Sequence, residues 1–173
     1  AAIVELAPGA TYLIGRQTNH NPAAAGWTYT PDLSDVIAFN NKPYACVRGN
    51  GAQIICASGL KYGTWNPDGT IDNAHAIPYF SNAATPYRSM LCAVSCEMVD
   101  FSDVYLNGNV ANLQIGGQFG DTGIQLPTLG VLLDGNKFVS LRKVKGNYHG
   151  QDGLERIVSG GDGGIRAAGE ILI

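Results

Sequence analysis

The chain has 173 residues, of which 14% are charged, and a formal charge of −3. That length holds one domain or a slice of a larger one, and the charge balance excludes a nucleic-acid binder that works by bulk positive charge. No apolar stretch approaches the ~18 residues of a membrane span, and charged residues are too scarce for a coiled coil or helical bundle. Glycine occurs 23 times and asparagine 13 times, and hydrophobic residues make up 45%. That is too apolar for a disordered chain and points to a soluble, Gly/Asn-rich β protein.

The chain starts Ala1-Ala2-Ile3-Val4, with no Met and no charged leader, and reads as a mature product or an excised piece. Val4 to Ile14 reads as strand, Pro8-Gly9 corner, strand. Residues 16–35, with Trp27, Tyr29 and Pro31, read as a loop excursion. Val47-Arg48-Gly49-Asn50-Gly51 then leads into the apolar run Ile54-Ile55-Cys56-Ala57. Residues 60–88 read as a second excursion, holding Tyr62, Trp65, Pro67-Asp68-Gly69, Tyr79-Phe80 and Tyr87. Long loops on repeat proteins often gather on one face and carry binding, which makes Trp65 and Tyr62 candidate ligand contacts. The competing reading is that these aromatics pack over a flank.

Next comes a recurring motif. Val104-Tyr105-Leu106-Asn107-Gly108-Asn109 is matched by Val131-Leu132-Leu133-Asp134-Gly135-Asn136, 27 residues on. Phe101-x-x-Val104-x-Leu106 is echoed by Leu141-x-x-Val144-x-Gly146. The strands are therefore short and separated by Gly/Asn corners, which accept positive φ at low cost. An antiparallel sandwich or a solenoid of stacked coils would fit, and the ~27-residue return favours the solenoid. Stacked coils place like residues above one another, so the asparagines are expected at corners. Cys46, Cys56, Cys92 and Cys96 read as buried thiols rather than bridges. Beyond Gly153 the repeat is hard to follow, and the chain stops on apolar Ile171-Leu172-Ile173, as a truncated array does.

The run Val4 to Ile14 resembles the first coil of right-handed parallel β-helix proteins of the pectin-lyase-like superfamily. Val47 to Ile55 is similar to a next coil. Met98 to Asp152, closing on Asn147-Tyr148-His149-Gly150-Gln151-Asp152-Gly153, is similar to later coils. The resemblance covers roughly residues 3–154 and is closest to uncharacterised bacterial right-handed parallel β-helix repeat proteins. It implies an all-β, right-handed parallel β-helix, a solenoid occupying 1–173 as one domain and forming a truncated N-terminal portion of a longer protein. It also implies a secreted or cell-envelope location and a role on polysaccharide, because the superfamily includes polysaccharide lyases, galacturonan hydrolases, phage tailspikes and adhesin-like surface proteins. The galacturonan hydrolase set of Asn-x-Asp, Asp-Asp, Gly-His-Gly and Arg-x-Lys is missing. Gln151-Asp152-Gly153 has one Asp where a pair would stand, and Asp162 occupies the place expected for a histidine.

Hydrolysis of a glycosidic bond needs two flanking carboxylates, for which Asp134 and Asp152 are the candidates. Each would equally serve to cap its turn. A β-eliminating lyase needs a base and a cation beside the uronate. Lys145 with Lys143 would share one strand face, with Arg142 opposite, and His149 or Tyr148 could move the proton. The competing reading is a solvated strand exterior. No cofactor is expected, although Asp100, Asp103, Asp121 and Asp134 could bind calcium without matching a known calcium-loop spacing. Two functions stay open: an extracellular protein that binds or degrades an acidic polysaccharide, as a lyase or glycoside hydrolase, or a non-enzymatic fibre or adhesin module that associates through open β-helix ends. The residues do not decide whether it is an enzyme.

Overall fold

The computed structural model describes residues 1–15, 35–66, 68–71, 83–117, 128–147, 149, 154–157 and 164–168, the last two segments as backbone only. The strands in chain order are β1 (Ala2–Glu5), β2 (Thr11–Ile14), β3 (Ile37–Asn40), β4 (Tyr44–Cys56), β5 (Lys61–Thr64), β6 (Ala83–Ala84), β7 (Ser89–Val94), β8 (Met98–Asn107), β9 (Gln114–Gly116), β10 (Leu129–Asp134), β11 (Phe138–Asn147), β12 (Leu154–Ile157) and β13 (Gly164–Ala168). The only helical turn among the described residues is Val110–Asn112. The protein is all-β, and its two larger sheets are parallel throughout.

Long strands form one sheet in the order β1-β4-β8-β11-β13, with β2 continuing β1 along β4. Short strands form a second, β12-β10-β7-β3. Among the described corners the chain passes from the second sheet to the first three times: β3 to β4, β7 to β8 and β10 to β11. Each passage is a three-residue corner whose first residue has positive φ: Asn41 (51°), Ser95 (53°) and Gly135 (60°). Asn, Ser and Gly tolerate that region at little or moderate cost. Corner amides bond to the neighbouring round, as from Ser95 N–H to Asp134 C=O (2.8 Å) and from Lys137 N–H to Cys96 C=O (3.0 Å).

The core is a set of ladders between the two sheets. Val47, Phe101 and Leu141 are in register on β4, β8 and β11, as are Ala52, Val104 and Val144. All six are buried. From the short strands, Phe39, Ala93 and Leu133 meet them, and the rings of Phe39 and Phe101 lie 5.9 Å apart. Large and small side chains thus alternate so that layers interdigitate. β7 and β10 are buried on their second face too, where Cys92, Leu129 and Leu132 cluster. This accounts for their unbroken apolar sequence. Asn136 lies in the core at a corner, accepting from Cys96 N–H and donating to Ala93 C=O, both at 2.8 Å. All four cysteines are free and buried.

Two expectations from sequence are corrected. The echo of Phe101, Val104 and Leu106 by Leu141, Val144 and Gly146 is the true register, with Met98 opposite Phe138, 40 residues on. The 27-residue match is not a register. Val104 to Leu106 lie on a long strand and Val131 to Leu133 on a short one, so one local pattern serves two sheets. The rounds differ in length, as Tyr44 meets Met98 and Phe138 meets Gly164. Residues 60–88 also contain strands. β5 pairs antiparallel with β6 and parallel with β9. Gly63 makes this possible: a Cβ there would fall 2.1 Å from the Gly116 carbonyl oxygen.

Candidate functional site

The outer face of the long-strand sheet carries exposed polar side chains on β4, β8 and β11. Each long strand is bent once. The bend residue has positive φ: Asn50 (54°) on β4, Asp103 (53°) on β8 and Lys143 (53°) on β11. On β4 the irregularity takes extra residues between Arg48 and Ala52. A Cβ on Gly49 would lie 2.2 Å from the Asp103 carbonyl oxygen, so only glycine fits there. The bend resets the in–out alternation. Phe101 points in, Ser102 and Asp103 point out, and Val104 points in again. β11 repeats this: Leu141 is inside, Arg142 and Lys143 outside, Val144 inside, Lys145 outside.

Arg142, Lys143 and Lys145 are therefore all exposed on the exterior. The expectation that Arg142 would oppose the two lysines fails, because strict period-2 alternation does not survive a left-handed residue. Arg142 forks onto the Asp100 carboxylate (2.8 and 2.9 Å from its Nη2). Lys143 forms no ion pair among the described residues. Beyond the bend, Gln53, Tyr105 and Lys145 are in register, and the Tyr105 hydroxyl donates to Asn147 Oδ1 (2.7 Å).

On the other side of the bend a different row stands out. Tyr44, Met98 and Phe138 are in register as the first residues of their strands. Met98 is 48% and Phe138 64% exposed. The Tyr44 hydroxyl reaches toward Asp100 (3.4 Å). Its pKa is pushed up to about 12 by Cys46 foremost, then by burial and Asp100, so the phenol stays protonated.

The remaining candidates lie elsewhere. Asp134 ends β10 in the short-strand sheet, half-buried beside the corner. It stands on a different sheet from the lysines, and Phe138 to Lys145 alone spans roughly 20 Å along the strand. His149 follows β11. Its Nδ1 shares a 2.7 Å hydrogen bond with the Tyr87 hydroxyl, the two rings edge to face. Among the described residues its Nε2 is buried without a hydrogen-bond partner, as are Trp65 Nε1 and Thr85 Oγ1. Burial pushes the His149 pKa down to about 4, with the Leu106 backbone acting weakly in the opposite sense. This imidazole is neutral and half-buried. Tyr62 and Trp65 are buried as well, at 1% and 5% exposed, and present no ring face to solvent. Lys61 instead sits 4.3 Å above the Trp65 ring. Asp152, Tyr148 and Asp121 lie outside the described residues.

Among the described residues, then, Asp134, His149 and the two lysines do not converge. No group of three His, Cys, Asp or Glu side chains among them could hold a metal ion. Asp100 is committed to Arg142, and Asp35 to Arg88 (2.9 Å at Nε) and Ser89. No helix of the described residues is long and apolar enough to cross a membrane. Sequence reasoning passed over the Tyr44–Met98–Phe138 row and Tyr105. The signal for the first was present: all three follow a three-residue corner at the same offset. The chain matches no protein family, no curated protein and no solved structure.

Proposed function

We propose that the repeated rounds are coils of a right-handed parallel β-helix, and that the protein binds an acidic polysaccharide along the exterior of its long strands. The observation that supports this reading is the emergence of Lys143 and Lys145 together on the outside of β11, beside the Arg142–Asp100 pair, on a chain of net charge −3. Tyr105 and Asn147 beside them offer hydroxyl and amide groups for sugar hydroxyls. Strand spacing of roughly 4.8 Å makes the surface a regular ruler for an extended polymer. Such polymers are found outside cells, which fits a secreted or envelope protein. Binding is favoured over cleavage because Asp134 stands on a different sheet from Lys143 and Lys145; Asp152, the partner carboxyl that glycoside hydrolysis would need within about 10 Å, lies outside the described residues.

Affinity electrophoresis through gels loaded with acidic or neutral polysaccharides tests this. The expected result is retardation by an acidic polymer that weakens with salt. The double variant Lys143→Ser/Lys145→Ser should bind about tenfold more weakly, from two surface charges at about 0.5–1 kcal/mol each. Equal retardation of the variant would remove the basis of the reading. New reducing ends or unsaturated uronates in the gel would replace binding with catalysis.

A further inference from the structure

We infer that Tyr44, Met98 and Phe138 form a stacking platform for the ring faces of uncharged pyranose units, a second subsite that rests on the glycan-binding reading. Their positions one above another come from the register of β4, β8 and β11, so the platform is continuous over roughly 10 Å. That is a length matched to two linked sugar rings. Past Phe138 the next residue in register is Gly164, which adds no side chain to the row. An exposed aromatic face is weakly negative, and the axial C–H groups of a pyranose are apolar and weakly positive, so the two stack.

Charge and size both select this occupant. The rows flanking the platform are self-neutralised: Lys137 pairs with Glu97 (3.2 Å) on one side and Arg142 with Asp100 (2.8 Å) on the other. The same paired carboxylates and cations remain partly exposed, and they can exchange hydrogen bonds with equatorial hydroxyls at a ring's rim. The platform offers about 300 Å² of apolar surface, given about 200 Å² per large side chain. A stable interface with a second copy of the chain requires about 800 Å² per partner, so the patch is too small for that.

The test uses Phe138→Ala, with Phe138→Tyr to retain the ring. Phe138 is 64% exposed, so neither change empties the core. Binding to a neutral β-linked glucan or mannan is measured by calorimetry at low and high salt. Wild type and Phe138→Tyr should bind alike and independently of salt, and Phe138→Ala about five- to tenfold more weakly. Unchanged binding of Phe138→Ala to the neutral polymer overturns the platform. The acidic-polymer reading survives that result if the lysine variant still fails in its own assay. No binding of either polymer class by folded protein overturns both. A concentration-dependent dimer lost in Phe138→Ala, or loss of single-stranded oligonucleotide binding, would assign the row to another partner and overturn the proposal equally.

Discussion

Acid should weaken this fold through one half-buried side chain, His149. In the unfolded chain a histidine takes up a proton near pH 6.5. In the folded chain His149 resists until about pH 4, because its ring packs half-buried against Tyr87 and its Nε2 has no hydrogen-bond partner among the described residues. The groups nearest this contact are the phenol of Tyr87 and, around Tyr87, Tyr62 and Cys56, all shifted upward by burial foremost. None can offset an imidazolium charge while neutral. The depressed pKa means that the unfolded state binds more protons across this window. The contribution of His149 is therefore complete above about pH 6.5, falls as the pH drops, and levels off below about pH 4, an overall change of about 3 kcal/mol. Urea unfolding of wild type and His149→Gln at steps across that window measures it. The variant starts less stable at neutral pH, and the gap between the two should close as the medium is acidified. Carboxylates titrate in the lower part of the window in both proteins, so the difference isolates the imidazole. Parallel pH profiles would refute the argument.

Other substitutions test the core and the bend. Phe101→Ala removes a fully buried ring from the Val47–Phe101–Leu141 ladder and its contact with Phe39; unfolding free energy should drop by about 3–5 kcal/mol. Asn136→Ala leaves Cys96 N–H and Ala93 C=O without their partner, a loss of about 2–4 kcal/mol in chemical denaturation. Gly49→Ala forces a Cβ into the Asp103 carbonyl and should cost more than 2 kcal/mol, on the scale of about 1–3 kcal/mol for overpacking with backbone shifts. Gly51→Ala meets only open space at φ 72° and should cost about 1 kcal/mol; equal losses at the two glycines would contradict the bend geometry.

Much of the interior was legible in the sequence. The spacing Phe101-x-x-Val104-x-Leu106 and its echo give the β8–β11 register residue for residue, because parallel stacking puts like side chains in one buried ladder. The x-x within that spacing already encodes the bend: two outward residues in succession require one of them to leave the extended region. Reading Arg142, Lys143 and Lys145 by simple alternation missed this, since nothing in the identity of Lys143 announces a positive φ. Asparagines do hold corners, as Asn109 does by donating to the Cys56 carbonyl (2.8 Å) and Asn136 within the core. The burial of Tyr62 and Trp65 could not be read locally, because it depends on β5, β6 and β9 coming together from distant segments. The same holds for His149, whose partner Tyr87 lies 62 residues away.

The most direct test of polysaccharide binding on the long-strand exterior is lysine footprinting. Amine acetylation is followed by mass spectrometry with and without the acidic polymer that retards the protein. Lys143 and Lys145 should be modified several-fold more slowly in the presence of polymer, while Lys42 and Lys61 react at unchanged rates. Protection of Lys61 or Lys42 in their place, or no protection at all under saturating polymer, would contradict the placement of the ligand on β11.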